Sequence, residues 1–163
     1  MADLTKLESK LGEVTGLAMA AQAATAKVIS LSEGDQGLVD QLQQMNKEAA
    51  ETEERCTDLA GSFDGKKTAI LDEARATRAK GAAMMSTYLG ESSEALDGFE
   101  FLTMAEAGEV GHWSILKTLN HTAEHSEIAS LVEWALPIQE RHFAGVQAGS
   151  LKLAAEEDPA DPA

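Results

Sequence analysis

Aromatic residues, prolines and cysteines are scarce in this sequence. Aromatics make up 4% of its 163 residues, and the three prolines, Pro137, Pro159 and Pro162, all come late. The first 136 residues therefore contain no obligatory helix breaker. The single cysteine, Cys56, excludes an internal disulfide, and its place on an apolar helix stripe predicts an inert, buried thiol.

Basic residues are scarce as well: 13 Lys and Arg stand against 28 Asp and Glu, which gives a formal net charge of −15. Binding to nucleic acid or to anionic lipid depends on Lys and Arg, so neither is an expected partner. The N-terminus lacks the basic-then-apolar order of a signal peptide, and no apolar run approaches the roughly 20 residues of a membrane helix. We therefore expect a cytoplasmic protein that does not enter a membrane.

What the sequence has in abundance is helix formers, chiefly Ala, Leu, Glu, Gln, Lys and Met. The length suits a single domain, and we find no internal repeat. We predict one helical domain over residues 1–154. The remaining segment, 155–163, is acidic and contains two prolines, which predicts a disordered tail.

Apolar residues recur at alternating spacings of three and four in two long stripes, Leu4–Val28 and Leu38–Leu59. This spacing is typical of amphipathic helices. The segments Ser32–Asp35 and Gly61–Gly65 carry turn-forming residues and should end them. Because the first of these turns is short, we expect the two helices to be antiparallel neighbours.

Two further strong helices are predicted, from about Ser93 to Asn120 and from Ser126, a plausible N-cap, to about Ala154. Between the second and third strong helices, Lys66–Tyr88 has a weaker pattern, which predicts a short surface connector, broken near Gly81. Four long helices with one longer connection favour an all-α, ferritin-like four-helix bundle over the simple up-down form.

Polar residues interrupt the apolar arc of the third strong helix. Glu109 falls near the centre of that arc, His112 lies inside it, and Glu106 lies on its margin. A buried, ionised carboxylate is costly unless it is paired or bound to a metal. Glu109 and His112 also have the i, i+3 spacing with which helical bundles present a carboxylate and an imidazole to one metal ion.

The fourth strong helix places Gln139 and His142 in its arc, and the second places Glu48 at the edge of its arc, whereas Glu51 projects away. We expect Glu109, His112, Gln139 and His142 to converge in the interior. Two interpretations stay open. The group binds one metal ion, iron, zinc or manganese rather than calcium, or it forms a metal-free hydrogen-bond network that fixes helix register.

The order of signals from about Leu38 to Ala154 resembles the YciF-like family of the ferritin superfamily, which are small bacterial helical bundles associated with stress. The similar stretches are Glu48–Gly61, Ile70–Ala74, Glu106–Leu119, Glu127–Leu131 and Leu136–His142. The resemblance implies a metal site with ligands from all four long helices, and by position those of the last three fall on Glu48, Glu51, Glu106, Glu109, Gln139 and His142.

The sequence departs from that pattern at three positions. Glu48 stands where the family has a His, Gln139 stands where it has an acid, and the first helix offers no acid, with Met19 or Gln22 nearest. These departures argue against an oxidising di-iron centre. We expect a metal-binding, stress-associated bundle that forms a homodimer and is not an enzyme. The main alternative is a metal-free structural or dimerisation module, and the third is a ferroxidase or peroxidase-like enzyme.

Two further expectations concern the last helix. Pro137 predicts a kink or break, because proline lacks an amide donor and its ring collides with the carbonyl of Glu133. Gly149–Lys152 is faintly similar to peptides that load cargo into encapsulin shells, but its place inside a predicted helix argues against that partner.

Overall fold

The computed structural model describes residues 3–163, and within that range the chain forms five α-helices and no β-strand. The helices are α1 (Lys6–Leu31), α2 (Gln36–Ala60), α3 (Lys67–Tyr88), α4 (Ala95–Ala123) and α5 (Ser126–Ala154). The predicted all-helical class is confirmed. Residues 155–163 follow α5 as exposed turns and bends.

Side-chain caps fix where α1 and α2 begin. Thr5 and Glu8 form a capping box, in which the Thr5 hydroxyl accepts from the Glu8 amide and the Glu8 carboxylate accepts from the Thr5 amide. Asp35 caps α2 by accepting from the amide of Leu38. The predicted apolar stripes of both helices are buried, except for partly buried residues at the start of the first stripe.

A tight turn joins α4 to α5. Glu124 takes the left-handed conformation, with φ of 52°, and the Asn120 amide group donates to the carbonyl and accepts from the amide of His125. The prediction of Ser126 as N-cap is wrong, because His125 holds that position and its Nδ1 accepts from the amide of Ile128. The hydrogen bonds from Asn120 hold the backbone of His125, so the N-cap lies one residue before the predicted serine.

The largest departure from expectation is α3. It is a continuous helix of 22 residues that crosses Gly81 without interruption, so the predicted break does not occur. Ile70 and Ala74 are fully buried where α3 packs on α1, so the first half of the helix belongs to the core. No residue from Arg78 to Tyr88 is buried, so the second half lies at the surface, as predicted for the connector.

Small residues on α1 explain this packing. Gly12, Gly16 and Ala20 recur at every fourth position, so one side of α1 carries almost no side chain. A Cβ at Gly12 would lie 2.7 Å from the carbonyl oxygen of Ile70, and one at Gly16 would lie 2.3 Å from that of Ala74. We call this close contact of α1 and α3 the glycine seam.

The seam also shows the directions of the helices. Gly12 faces Ile70 and Ala20 faces Gly81, so α1 and α3 run parallel. Gly98 of α4 faces Val28, near the end of α1, so those two helices run antiparallel. α1 packs against α2, α3 and α4, and α5 completes the bundle by packing on α4 and α2.

The central position of α1 accounts for its composition. A helix enclosed by others is apolar on most of its surface. By length and composition, α1 is the one helix of residues 3–163 that would be able to cross a membrane.

Pro137 does not break α5, which runs without interruption from Ser126 to Ala154. Its buried positions keep the three-four spacing across the proline, with Ala135 before it and Gln139 and His142 after it. The proline ring lies on the exposed side of the helix. The bundle therefore holds the register of α5 on both sides of the missing amide donor.

Candidate functional site

Five polar side chains from three helices converge inside the bundle. We call them the buried polar cluster: Glu48 of α2, Glu106 and Glu109 of α4, and Gln139 and His142 of α5. Their exposed fractions are 7%, 1%, 4%, 1% and 5%, respectively. Each lies on the interior side of its helix because it continues the spacing of the apolar residues around it.

Gln139 links the two glutamates of α4. With its amide nitrogen turned toward them, Gln139 donates to Glu109 Oε2 at 3.0 Å and to Glu106 Oε2 at 3.1 Å. The i, i+3 spacing places both carboxyl groups on the same side of α4, so one amide on α5 reaches both. This pair of hydrogen bonds joins α4 to α5.

Burial changes the charge of this pair. Desolvation raises the pKa of Glu106 to about 8. Desolvation, and then repulsion from Glu106, raises the pKa of Glu109 well above its ordinary range. At neutral pH Glu106 favours the protonated, uncharged form, and burial shifts the pKa of Glu109 in the same direction. A bound cation would favour the ionised form instead.

His142 lies between the α2 and α4 carboxylates. Its Nε2 is 3.4 Å from Glu48 Oε2, and its Nδ1 is 3.7 Å from Glu106 Oε2. Nε2 is buried and has no hydrogen-bond partner. Burial lowers the pKa of His142, although the neighbouring Glu48 acts in the opposite direction. The ring is therefore a neutral imidazole held between carboxyl groups of two helices.

Glu48 differs from the other two glutamates because it is paired. Burial tends to raise its pKa, but hydrogen bonds from Arg141 and from Gln44, the latter at 2.6 Å, lower the pKa below its ordinary value. Neither partner is predicted by the apolar pattern of its own helix. Arg141 points outward on the wheel of α5 and reaches Glu48 only because α2 lies alongside, so no pattern within α5 alone would identify it.

Two predicted site residues lie outside the cluster. Glu51 is exposed and pairs with Arg55 on the next turn of α2, as its place on the helix wheel predicts and against its place in the family pattern. His112 does not converge with the cluster, because its side chain is 38% exposed and its Nδ1 lies 3.2 Å from Glu13 Oε2 of α1. Polar residues of α1 contact the ring and hold it at the edge of the bundle.

The remaining reactive side chain is Cys56, which is fully buried. Burial raises the pKa of its thiol to about 12, so the reactive thiolate does not form at neutral pH. This agrees with the predicted packing role.

Comparison with family models, curated proteins and solved structures finds no match to this chain. Among residues 3–163, no group of three or more His, Cys, Asp or Glu side chains stands in an arrangement that would hold a metal ion. In the arrangement described here, the α4 carboxyl groups of the buried polar cluster are turned to Gln139.

Proposed function

We propose that this chain is a ferritin-like helical bundle that binds one divalent metal ion through Glu48, Glu106, Glu109 and His142. The observation that supports it best is His142 Nε2, a buried nitrogen without a hydrogen bond, 3.4 Å from a glutamate on another helix. A buried polar atom without a partner is costly, and a metal would remove that cost. Imidazole and carboxylate ligands suit iron, zinc or manganese.

The order of the helices favours the ferritin-like assignment. The bundle of α1, α2, α4 and α5 contains two antiparallel hairpins, and α3 supplies the long connection between them. The cluster draws its residues from three of these four helices. We further propose a cytoplasmic, stress-associated role, and a binding function rather than catalysis, because α1 contributes no acid to the cluster.

A cation must displace protons from Glu106 and Glu109 and turn these carboxyl groups away from Gln139. Metal affinity should therefore rise with pH, and binding should release protons. An outlet to solvent exists, since both glutamates contribute to the wall of an open groove between α3 and α4.

Metal analysis tests the proposal. Protein purified without chelator should hold one equivalent of metal per chain, and His142→Asn should lose it. His121→Asn is the matched control, because His121 is exposed and belongs to no part of the cluster. Metal-free protein that takes up no iron, zinc or manganese on titration would refute the proposal.

A metal-free bundle is the second candidate, and the Gln139 bridge favours it. In that case the two hydrogen bonds to Glu106 and Glu109 specify helix register, and function lies in homodimerisation. His142→Asn would then lower thermal stability without changing metal content. Light scattering would show a dimer in both the parent protein and the variant.

A further inference from the structure

A groove runs along α1 between α3 and α4 and encloses about 300 Å³. α3 packs closely on α1 at the glycine seam but has little contact with α4, so the two helices leave a gap above α1. Alanine, glycine and methionine form most of its surface. The volume and the apolar lining place it at the lower end of the range for small-molecule sites.

The two ends of the groove differ in character. Leu17, Arg78 and His112 border one end, whereas Met85 and Phe101 border the other. The floor along α1 extends from Leu17 to Ala24, which is about 10 Å at 1.5 Å per residue. Such a groove suits an elongated molecule with one polar and one apolar end.

The charge at the polar end of the groove indicates the charge of the group that binds there. Arg78 is exposed and forms no ion pair with any residue of the described part of the chain. The acids in the groove wall, Glu106 and Glu109, face Gln139. Glu13, which lies 3.2 Å from His112 at the same end as Arg78, is paired with Lys10. On a chain with a net charge of −15, an unpaired cation beside an apolar groove is the feature that would hold an anion there.

We propose that the groove binds a single-chain amphiphile with an anionic head, such as a medium-length fatty acid, with the carboxylate at Arg78 and the hydrocarbon chain directed toward Met85 and Phe101. This inference does not require a bound metal, although Glu106 and Glu109 of the buried polar cluster also contribute to the groove wall. It depends on the α3 side of the groove, which contributes nothing to the buried polar cluster.

Two glycines on α4 provide a matched test. A Cβ at Gly108 or at Gly111 would meet no atom within 4 Å, so both positions tolerate a side chain, but only Gly108 lines the groove. Calorimetric titration of the full chain with monomeric decanoate should show one site. Gly108→Leu should abolish it by filling the groove, and Gly111→Leu should leave it unchanged. Equal affinity in the two variants would overturn the proposal.

The charge of the head group is tested separately. Arg78→Gln should weaken decanoate binding about threefold, since an exposed ion pair contributes little. Decyltrimethylammonium, which has the same chain and the opposite charge, should bind more weakly than decanoate. Tighter binding of the cation, or no loss in Arg78→Gln, would refute the anionic head.

Two further measurements separate this proposal from its rivals. His142→Asn should keep decanoate binding even where it loses metal, because the imidazole lies outside the groove.

Met84 and Met104, at the rim, are 45% and 38% exposed, and a second copy of the chain would be an alternative occupant. If Gly108→Leu abolished dimerisation and decanoate had no effect on it, the second copy would be the occupant of the groove, and the proposal would be overturned.

Discussion

The glycine seam between α1 and α3 and the buried polar cluster between α2, α4 and α5 are two helix contacts with opposite requirements. At the seam, backbones approach so closely that a single added carbon at Gly16 would lie 2.3 Å from a carbonyl oxygen. In the cluster, there is room for long side chains, but each polar group needs a partner. The first contact is sensitive to volume, and the second is sensitive to hydrogen bonding and charge.

The strongest test of this contrast is a substitution at the seam. Gly16→Ala should lower the free energy of unfolding by about 3 kcal/mol, because the added methyl group overlaps the α3 backbone, which cannot move independently of its helix. Gly111→Ala is the control: its Cβ meets nothing, so the helix propensity of alanine should raise stability by up to about 1 kcal/mol. Urea unfolding measures both. A neutral Gly16→Ala would show that the seam is loosely packed.

The cluster should instead respond to pH. Because the pKa of Glu106 is raised from 4.5 to about 8, the native state keeps a proton that the unfolded chain releases. Its contribution to stability is therefore complete below about pH 4.5 and is lost as the pH rises toward about 8. In buffer that contains chelator, the free energy of unfolding of Glu106→Gln should increase relative to that of the parent protein by up to about 1.4 kcal/mol per pH unit within this window.

The control for the pH experiment is Glu133→Gln, an exposed glutamate of α5. Its stability should follow that of the parent protein at every pH. If the curves for Glu106→Gln and the parent protein were parallel as well, Glu106 would titrate normally, and the cluster would not be the desolvated site that its burial indicates.

Hydrogen bonding in the cluster is tested at Gln139. Gln139→Leu keeps the volume but leaves Glu106 and Glu109 without their shared donor, which should cost about 2 kcal/mol. Gln147→Leu, at an exposed position of the same helix, should change stability by less than about 0.5 kcal/mol. Thermal unfolding distinguishes them. Equal effects would mean that the bridge contributes nothing to stability.

The smallest effect is expected at Pro137, which belongs to neither contact. Pro137→Ala restores an amide donor on the exposed side of a helix that is already continuous, so stability should rise by about 1 kcal/mol. Metal content measured on the same sample decides whether the proline has a further role. Unchanged content would assign it a structural effect alone, and reduced content would mean that it shapes the cluster.

The helices and all five members of the buried polar cluster followed from periodicity within single helices, and the turns followed from their turn-forming residues. Glu109, Gln139 and His142 continue apolar arcs. Glu48 and Glu106 lie at the edges of theirs. His112 has the same kind of position as His142 but lies half out of the bundle, because Lys10 and Glu13 of α1 face it there. A helix wheel describes one helix and contains no information about the neighbouring surface.

The same limit explains the error at α3. The pattern of α3 itself is weak, and the information about its packing is on α1, in the spacing of Gly12, Gly16 and Ala20. Small residues at every fourth position permit close helix contact, so this signal was present in the sequence but on the partner helix. Arg141 was missed for an equivalent reason, since its ion pair depends on Glu48 of α2.

The enclosure of α1 by three other helices has a consequence for folding. The first helix in chain order is also among the most apolar, and two of the helices that cover it, α3 and α4, come only after α2. Until they form, the bare side of α1 and the hydrophobic face of α2 are open to other chains, which is the condition under which intermediates aggregate. Refolding yield should therefore fall as protein concentration rises, and the fall should be steepest for variants that weaken the docking of α3.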